Sequence, residues 1–210
     1  MQPQAGTPLM FDDPGPQNTD ATMGAALRRL KELGLGTVVV ASDTGKTARA
    51  ALTAFAPPTR VVVVSNPPGM MVPVSKLHDY LPRFREHRKS LESSGVTSVP
   101  ASLSTEVAAE LQGAGATVLR VDWRKLAAFT RNDLRALECI GVGVRVAVTI
   151  AIAAFLAEEV TAGLDMIALA GTGFGGGGAD TALVVRTAER WRDWRVLETL
   201  ARPRVGPPGE

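Results

Sequence analysis

Thr37-Val38-Val39-Val40-Ala41 runs directly into Ser42-Asp43-Thr44-Gly45-Lys46-Thr47. The first five residues are apolar or β-branched without alternation, the pattern of a strand covered on both faces. The next six hold hydroxyls, a glycine and a lysine, the composition of a turn into a helix. Upstream, Asn18-Thr19-Asp20 supplies N-cap residue types, and Met23, Ala26, Leu27, Leu30 and Leu33 follow at helical spacing until Gly34 and Gly36. Downstream, Lys46 to Phe55 predicts a short helix stopped by Pro57-Pro58, and Val61 to Val64 predicts a second buried strand. Strands alternating with helices on this pattern define an α/β fold in three layers, a mostly parallel sheet flanked by helices.

Further along, Asn66-Pro67-Pro68-Gly69 is a turn signal. Residues 75–94 carry Leu77, Leu81, Phe84 and Leu91 at roughly helical spacing, with Pro82 kinking that helix or sitting in its first turn. Val96 to Val99 reads as a weaker third strand, Leu103 to Leu111 as a helix, and Thr117 to Val121 as either a strand or a helix. Arg131 to Glu138 and Val142 to Glu159 read as helices, the second buried in the core. Asp165 to Ala170 and Thr181 to Arg186 read as strands around a glycine-rich loop, and Val196 to Leu200 as an edge strand. The expected organisation is a loose arm over 1–17, a single α/β domain over 18–204 and a frayed tail over 205–210.

Composition narrows the function. Of 210 residues, 45% are hydrophobic and 21% charged, as in ordinary globular domains. The net charge of +2 gives no electrostatic reason to expect a nucleic-acid partner. One cysteine and two histidines exclude a disulfide framework and an ordinary zinc cluster, and fit a reducing, cytoplasmic setting with no metal. The longest apolar run, Val146 to Ala157, is shorter than the ~20 residues a membrane span needs, and the N-terminus has no basic start leading into an apolar run. Neither a membrane partner nor a targeting leader is expected. A homo-oligomer is the base-rate expectation.

In sheets of this kind ligands bind beyond the carboxyl ends of the strands, which singles out two loops. The first, Ser42 to Thr47, offers hydroxyls, a turning glycine, a lysine and the N–H groups of a helix start, all suited to a phosphate. Gly45-Lys46-Thr47 resembles the end of a P-loop, but Val40 stands where that motif needs its first glycine. A capped strand-to-helix turn is the plain alternative. The second loop, Gly171-Thr172-Gly173-Phe174-Gly175-Gly176-Gly177-Gly178, contains the spacing GxGxxG, but a strand follows it instead of a helix, so the dinucleotide fingerprint is not met. Its glycine content exceeds what a hairpin requires and suits close wrapping of an anion.

Together these residues carry a resemblance. Asn18-Thr19-Asp20 before the first helix, VVVASDTGKTA at 38–48, VVVVSN at 61–66, GVGVRVAVTIAIAA at 141–154, LAGTG at 169–173 with GADTALV at 178–184, and LARPR at 200–204 resemble, in order and spacing, the pyruvate kinase alpha/beta domain-like family, stand-alone relatives of the pyruvate kinase C-terminal domain. The resemblance implies a pyruvate kinase C-terminal-like fold and a bound flavin mononucleotide (FMN). It implies a cytoplasmic protein of unsettled activity, for which a flavin-dependent oxidoreductase is the natural enzyme class. The alternative it implies is a non-catalytic regulatory module for a small phosphorylated metabolite, as in pyruvate kinase, where a sugar phosphate lies between two such loops. By resemblance, Ser42, Thr44, Gly45, Lys46 and Thr47 would hold phosphate, and Gly171, Thr172, Gly173, Asp180 and Thr181 would close the site. Phe174 stands where the family's GTGRGADTA loop has its arginine. Without the active-site barrel, pyruvate kinase activity is not expected.

Other candidates read more plainly. Asp43 is expected to cap a helix, and Asp180 to stabilise a turn or bond a ribityl hydroxyl. His78 and His87 lie in a charged run that reads as a solvated face. Cys139 reads as a small buried residue. Trp123, Trp191 and Trp194 suit packing, with stacking on an isoalloxazine ring as the alternative. No Ser-His-Asp order or carboxylate pair marks a catalytic residue.

Overall fold

A computed structural model describes residues 6–77, 82–122, 131–172 and 178–204. The strands are β1 (Leu9–Phe11), β2 (Thr37–Ala41), β3 (Arg60–Ser65), β4 (Met71–Pro73), β5 (Ser98–Pro100), β6 (Thr117–Arg120), β7 (Asp165–Ala170), β8 (Thr181–Arg186) and β9 (Arg195–Pro203). The helices are α1 (Thr19–Leu33), α2 (Lys46–Ala54), α3 (Pro82–Ser93), α4 (Thr105–Gly113), α5 (Arg131–Ile140) and α6 (Val142–Leu156). The main sheet has seven strands in the order β1-β9-β8-β7-β2-β3-β6. Pairing is parallel from β7 through β2 and β3 to β6 and between β1 and β9, and antiparallel on both sides of β8.

Period-two alternation divides the strand side chains between two cores. Val38, Val40, Val61, Val63, Ile167 and Leu169 meet α1, α2 and α4 on one face. Val39, Val62, Val64, Met166, Ala168 and Ala170 meet α6 on the other. The sheet is therefore covered on both sides, which explains the unbroken valine runs. Helix α6 is apolar nearly all round, as a helix enclosed on all sides must be. Among the described residues no helix is long and apolar enough to cross a membrane.

Several expectations change. Within the segment read as a loose arm, Leu9–Phe11 pairs with Ala201, Arg202 and Pro203. β9 is therefore covered along its C-terminal part, 201–203, while Val196–Leu200 pairs only with β8 and keeps an open outer edge, as expected; no local pattern in three residues could announce the long-range pairing of β1. Val96–Val99 does not join the main sheet. Ser98–Pro100 pairs instead with β4, antiparallel, over a small satellite core of Val72, Val74, Leu77 and Ala101. Thr117–Arg120 is a strand, and Pro82 opens α3, where its missing N–H costs nothing. Cys139 is exposed, because α5 turns that face outward. His87 is exposed on α3, as the charge run implied. His78, Trp123, Gly173, Phe174 and the tail 205–210 lie outside the described residues.

Candidate functional site

The direction of the central strands places the site. Val38, Val39 and Val40 pair in parallel with Ile167, Ala168 and Leu169. β2 and β7 therefore leave the sheet at the same end, about 5 Å apart, and the 42–47 and 171–178 loops begin side by side. From β2 the chain proceeds through β3 to β6 on one side of the sheet, whereas from β7 it proceeds through β8 to β9 on the other. The connections thus diverge at β2 and β7, the kind of switch point at which open α/β sheets take their ligands. Helices α1 and α2 begin at this rim on one face and α6 on the other, so their positive dipole ends share it.

The first loop is built by a division of labour. Ser42 is buried, and its Oγ accepts the Ala48 N–H at 3.3 Å, so it is Ser42 that caps α2. Asp43, expected as the cap, turns away to β3, where its carboxylate accepts from Ser65 Oγ (2.9 Å) and from the Asn66 N–H (3.2 Å) and Nδ2 (3.1 Å). Burial pushes its carboxyl above the ordinary aspartate range, opposed by the bonds from Asn66 and Ser65. Gly45 has φ +83°, and a β-carbon there would lie 2.5 Å from Val107 Cγ1 of α4. Both its conformation and its neighbour therefore require glycine. Thr44 and Lys46 are exposed and Thr47 is buried. The N–H groups of Gly45 and Thr47 have no acceptor among the described residues.

The second loop is locked at its ends. Asp180 is fully buried. Its Oδ2 accepts from the Gly15 N–H (2.9 Å) and the Thr172 N–H (3.2 Å), and its Oδ1 from Thr172 Oγ1 (2.9 Å) and Thr181 Oγ1 (3.0 Å). Burial raises its carboxyl pKa, and the Thr172, Thr181 and Gly15 donors oppose that shift. With two donors on each oxygen, Asp180 serves as a turn anchor. Thr19 Oγ1 accepts the Ala179 N–H at 3.1 Å, which ties the start of α1 to the same rim. Gly171 is half-buried, and Thr172 and Thr181 are buried.

Sequence reasoning missed the α6 side of the rim. Gly141 precedes α6, and Gly143 lies so close to β8 that a β-carbon there would be 2.1 Å from Thr181 Oγ1. A shallow depression beside these glycines is lined by Thr172, Thr181 and Arg202. Arg202 also donates from Nη1 to the Ile140 carbonyl at 2.8 Å. Gly141 before and Gly143 within the first turn of an apolar helix were the available signal for close approach. Nothing local marks Arg202. Gly143→Ala is expected to destabilise the protein by ~1–3 kcal/mol, the usual cost of overpacking a tight contact. The shift of its urea unfolding midpoint would measure this.

The tryptophans lie elsewhere. Trp194 meets Phe155 edge-on, ring centroids 5.5 Å apart, and its Nε1 donates to the Ala188 carbonyl at 2.7 Å. Because β8 is antiparallel to β7, the chain that follows Arg186 sits at the end of the sheet away from the loops. Trp191 and Trp194 are thus both remote from the rim; Trp194 packs against the core, and the more exposed Trp191 lies against Trp194, ring centroids 5.9 Å apart. No protein-family model matches the chain. The fold and rim together define a mostly parallel α/β protein whose 42–47 and 171–172 turns leave the sheet side by side at its strand switch point.

Proposed function

We propose that the rim holds a small phosphorylated ligand, and that FMN is that ligand, on a fold of the pyruvate kinase C-terminal type. The single observation that carries the reading is the parallel register of β2 and β7, which starts the hydroxyl- and lysine-bearing loop after β2 beside the Gly171-Thr172 turn after β7, at a switch point. The donor set fits a phosphate. The Gly45 and Thr47 N–H groups are without acceptors among the described residues, Thr44 and Lys46 are exposed, and the one carboxylate in the loop, Asp43, is turned to β3. A carboxylate facing the anion would oppose binding. FMN, when bound, would supply redox chemistry. The chain's part is to hold the phosphate on 44–47 and close the site from 171–172.

The test is to denature the purified protein and identify the released small molecule by mass spectrometry, alongside flavin absorbance and thermal shifts with FMN and with sugar phosphates. Released FMN, or tight FMN binding, supports the reading. A colourless protein shifted only by sugar phosphates converts it to the regulatory-module alternative. No response to any phosphorylated compound overturns it. Lys46→Ala is expected to weaken FMN binding about tenfold, the loss of one charge-assisted contact to phosphate, measurable by flavin fluorescence titration.

A further inference from the structure

An acidic residue inside an anion-binding loop needs an explanation, and the back of the loop supplies one. Asp43 joins the loop to the end of β3 through three donors from Ser65 and Asn66. The bonds continue outward. Asn66 Nδ2 also donates to the Ala101 carbonyl at 2.8 Å, and Ser65 Oγ accepts the Leu103 N–H at 3.0 Å. Immediately afterwards Ser104 caps α4 by accepting the Val107 N–H at 3.2 Å, and Val107 is the residue pressed against Gly45. The loop is thus gripped at Asp43 by hydrogen bonds and at Gly45 by packing, both from the 101–107 stretch and the end of β3. Only an ionised carboxylate offers acceptors alone to three converging donors. The asparagine of the same shape would aim an NH2 at donor groups.

We propose that Asp43 is the positioning residue of the anion loop: by anchoring the loop's back to Ser65 and Asn66, it holds the Gly45 and Thr47 N–H groups free at the rim, while the Lys46 N–H is taken by Thr44 Oγ1 at 3.5 Å. This rests on the phosphate-ligand reading above and adds the residue that preorganises the site. The groups facing Asp43 are uncharged. Lys46 and Arg49 of α2 are exposed, and Arg49 is paired with Glu110 of α4 at 2.6 Å. Because burial raises the Asp43 carboxyl pKa, its protonation, which removes the anchor, falls above the ordinary aspartate range.

The test compares wild type with Asp43→Asn, Ser65→Ala and Lys46→Ala. Asp43→Asn is expected to weaken FMN binding tenfold or more and to speed amide hydrogen exchange across 42–47 in the ligand-free protein. Ser65→Ala, which keeps the carboxylate and removes one donor, should give a smaller loss. Wild-type affinity should fall as pH drops into the window just above the ordinary aspartate pKa, beyond the fall set by FMN's own phosphate. Lys46→Ala should keep that extra fall and Asp43→Asn should lack it, a difference that a merely structural role would not produce. Unchanged FMN affinity together with unchanged exchange at 42–47 in Asp43→Asn overturns the proposal. If wild type binds no phosphorylated compound, the functional reading fails, and exchange in the ligand-free loop still decides the role of Asp43 as its anchor.

Discussion

Asp180→Ala is expected to lower the unfolding free energy by ~4 kcal/mol or more. The carboxylate is fully buried and gathers the Gly15 and Thr172 N–H groups and the Thr172 and Thr181 hydroxyls. Alanine removes the acceptor for all four. The hydroxyls can rotate toward other partners, but the two N–H groups are fixed by the backbone, and each orphaned buried donor costs ~1–3 kcal/mol. The site also joins segments far apart in sequence, since the bond to Gly15 spans 165 positions. Losing it should release the N-terminal segment from the rim along with the 172–181 turn. Urea denaturation gives the free energy, and hydrogen exchange at Gly15 and Thr172 shows whether the two segments loosen together. A change below ~1 kcal/mol would mean that water replaces the carboxylate at no cost. Asp180→Asn keeps one acceptor oxygen and should lose less.

The second large effect is expected at Arg29. The residue is only 5% exposed, and its guanidinium pairs bidentately with Glu198 of β9, Nε to Oε2 at 2.8 Å and Nη2 to Oε1 at 2.6 Å, while Nη1 reaches Glu32 at 2.8 Å. The bonds to Glu198, then those to Glu32, raise the arginine pKa still further. Arg29→Ala strips the partner from a Glu198 side chain that is 16% exposed. Breaking a buried pair on one side costs ~3–5 kcal/mol. The pair as a whole is a different quantity. Replacing both partners, as in Arg29→Met with Glu198→Leu, is expected to fall within ~1–2 kcal/mol of wild type, because desolvation offsets much of the attraction. A double-mutant cycle by chemical denaturation measures both. Equal losses in the single and double variants would show that packing alone, without the charge pair, accounts for the effect. With ordinary domains stable by ~5–15 kcal/mol, either single substitution approaches the folding threshold.

The legible and the illegible parts of this protein separate along one physical line. The valine runs at 38–40 and 61–64, the helical spacing of Met23, Ala26 and Leu30, and the apolar run through α6 all report burial. Burial is written locally, in the period of the side chains. Candidate loops were legible for the same reason, because Ser42–Thr47 and the glycines from 171 onward interrupt those periods. The roles inside the loops were not. Ser42 and Asp43 are both good capping residues, and the choice between them was made by Ser65 and Asn66 on the neighbouring strand. Asp180 looked like a turn residue and proved to be the meeting point of donors from three segments.

From the chain alone came the α/β class, the parallel central strands and the two loops, since hydrophobic period and turn chemistry are properties of neighbouring residues. Tertiary structure alone decided that Leu9–Phe11 lies outside β9, that β4 and β5 form a separate sheet, that Trp194 sits at the far end, and which carboxylate faces which donors. Those outcomes depend on contacts between residues tens of positions apart, for which no local period exists.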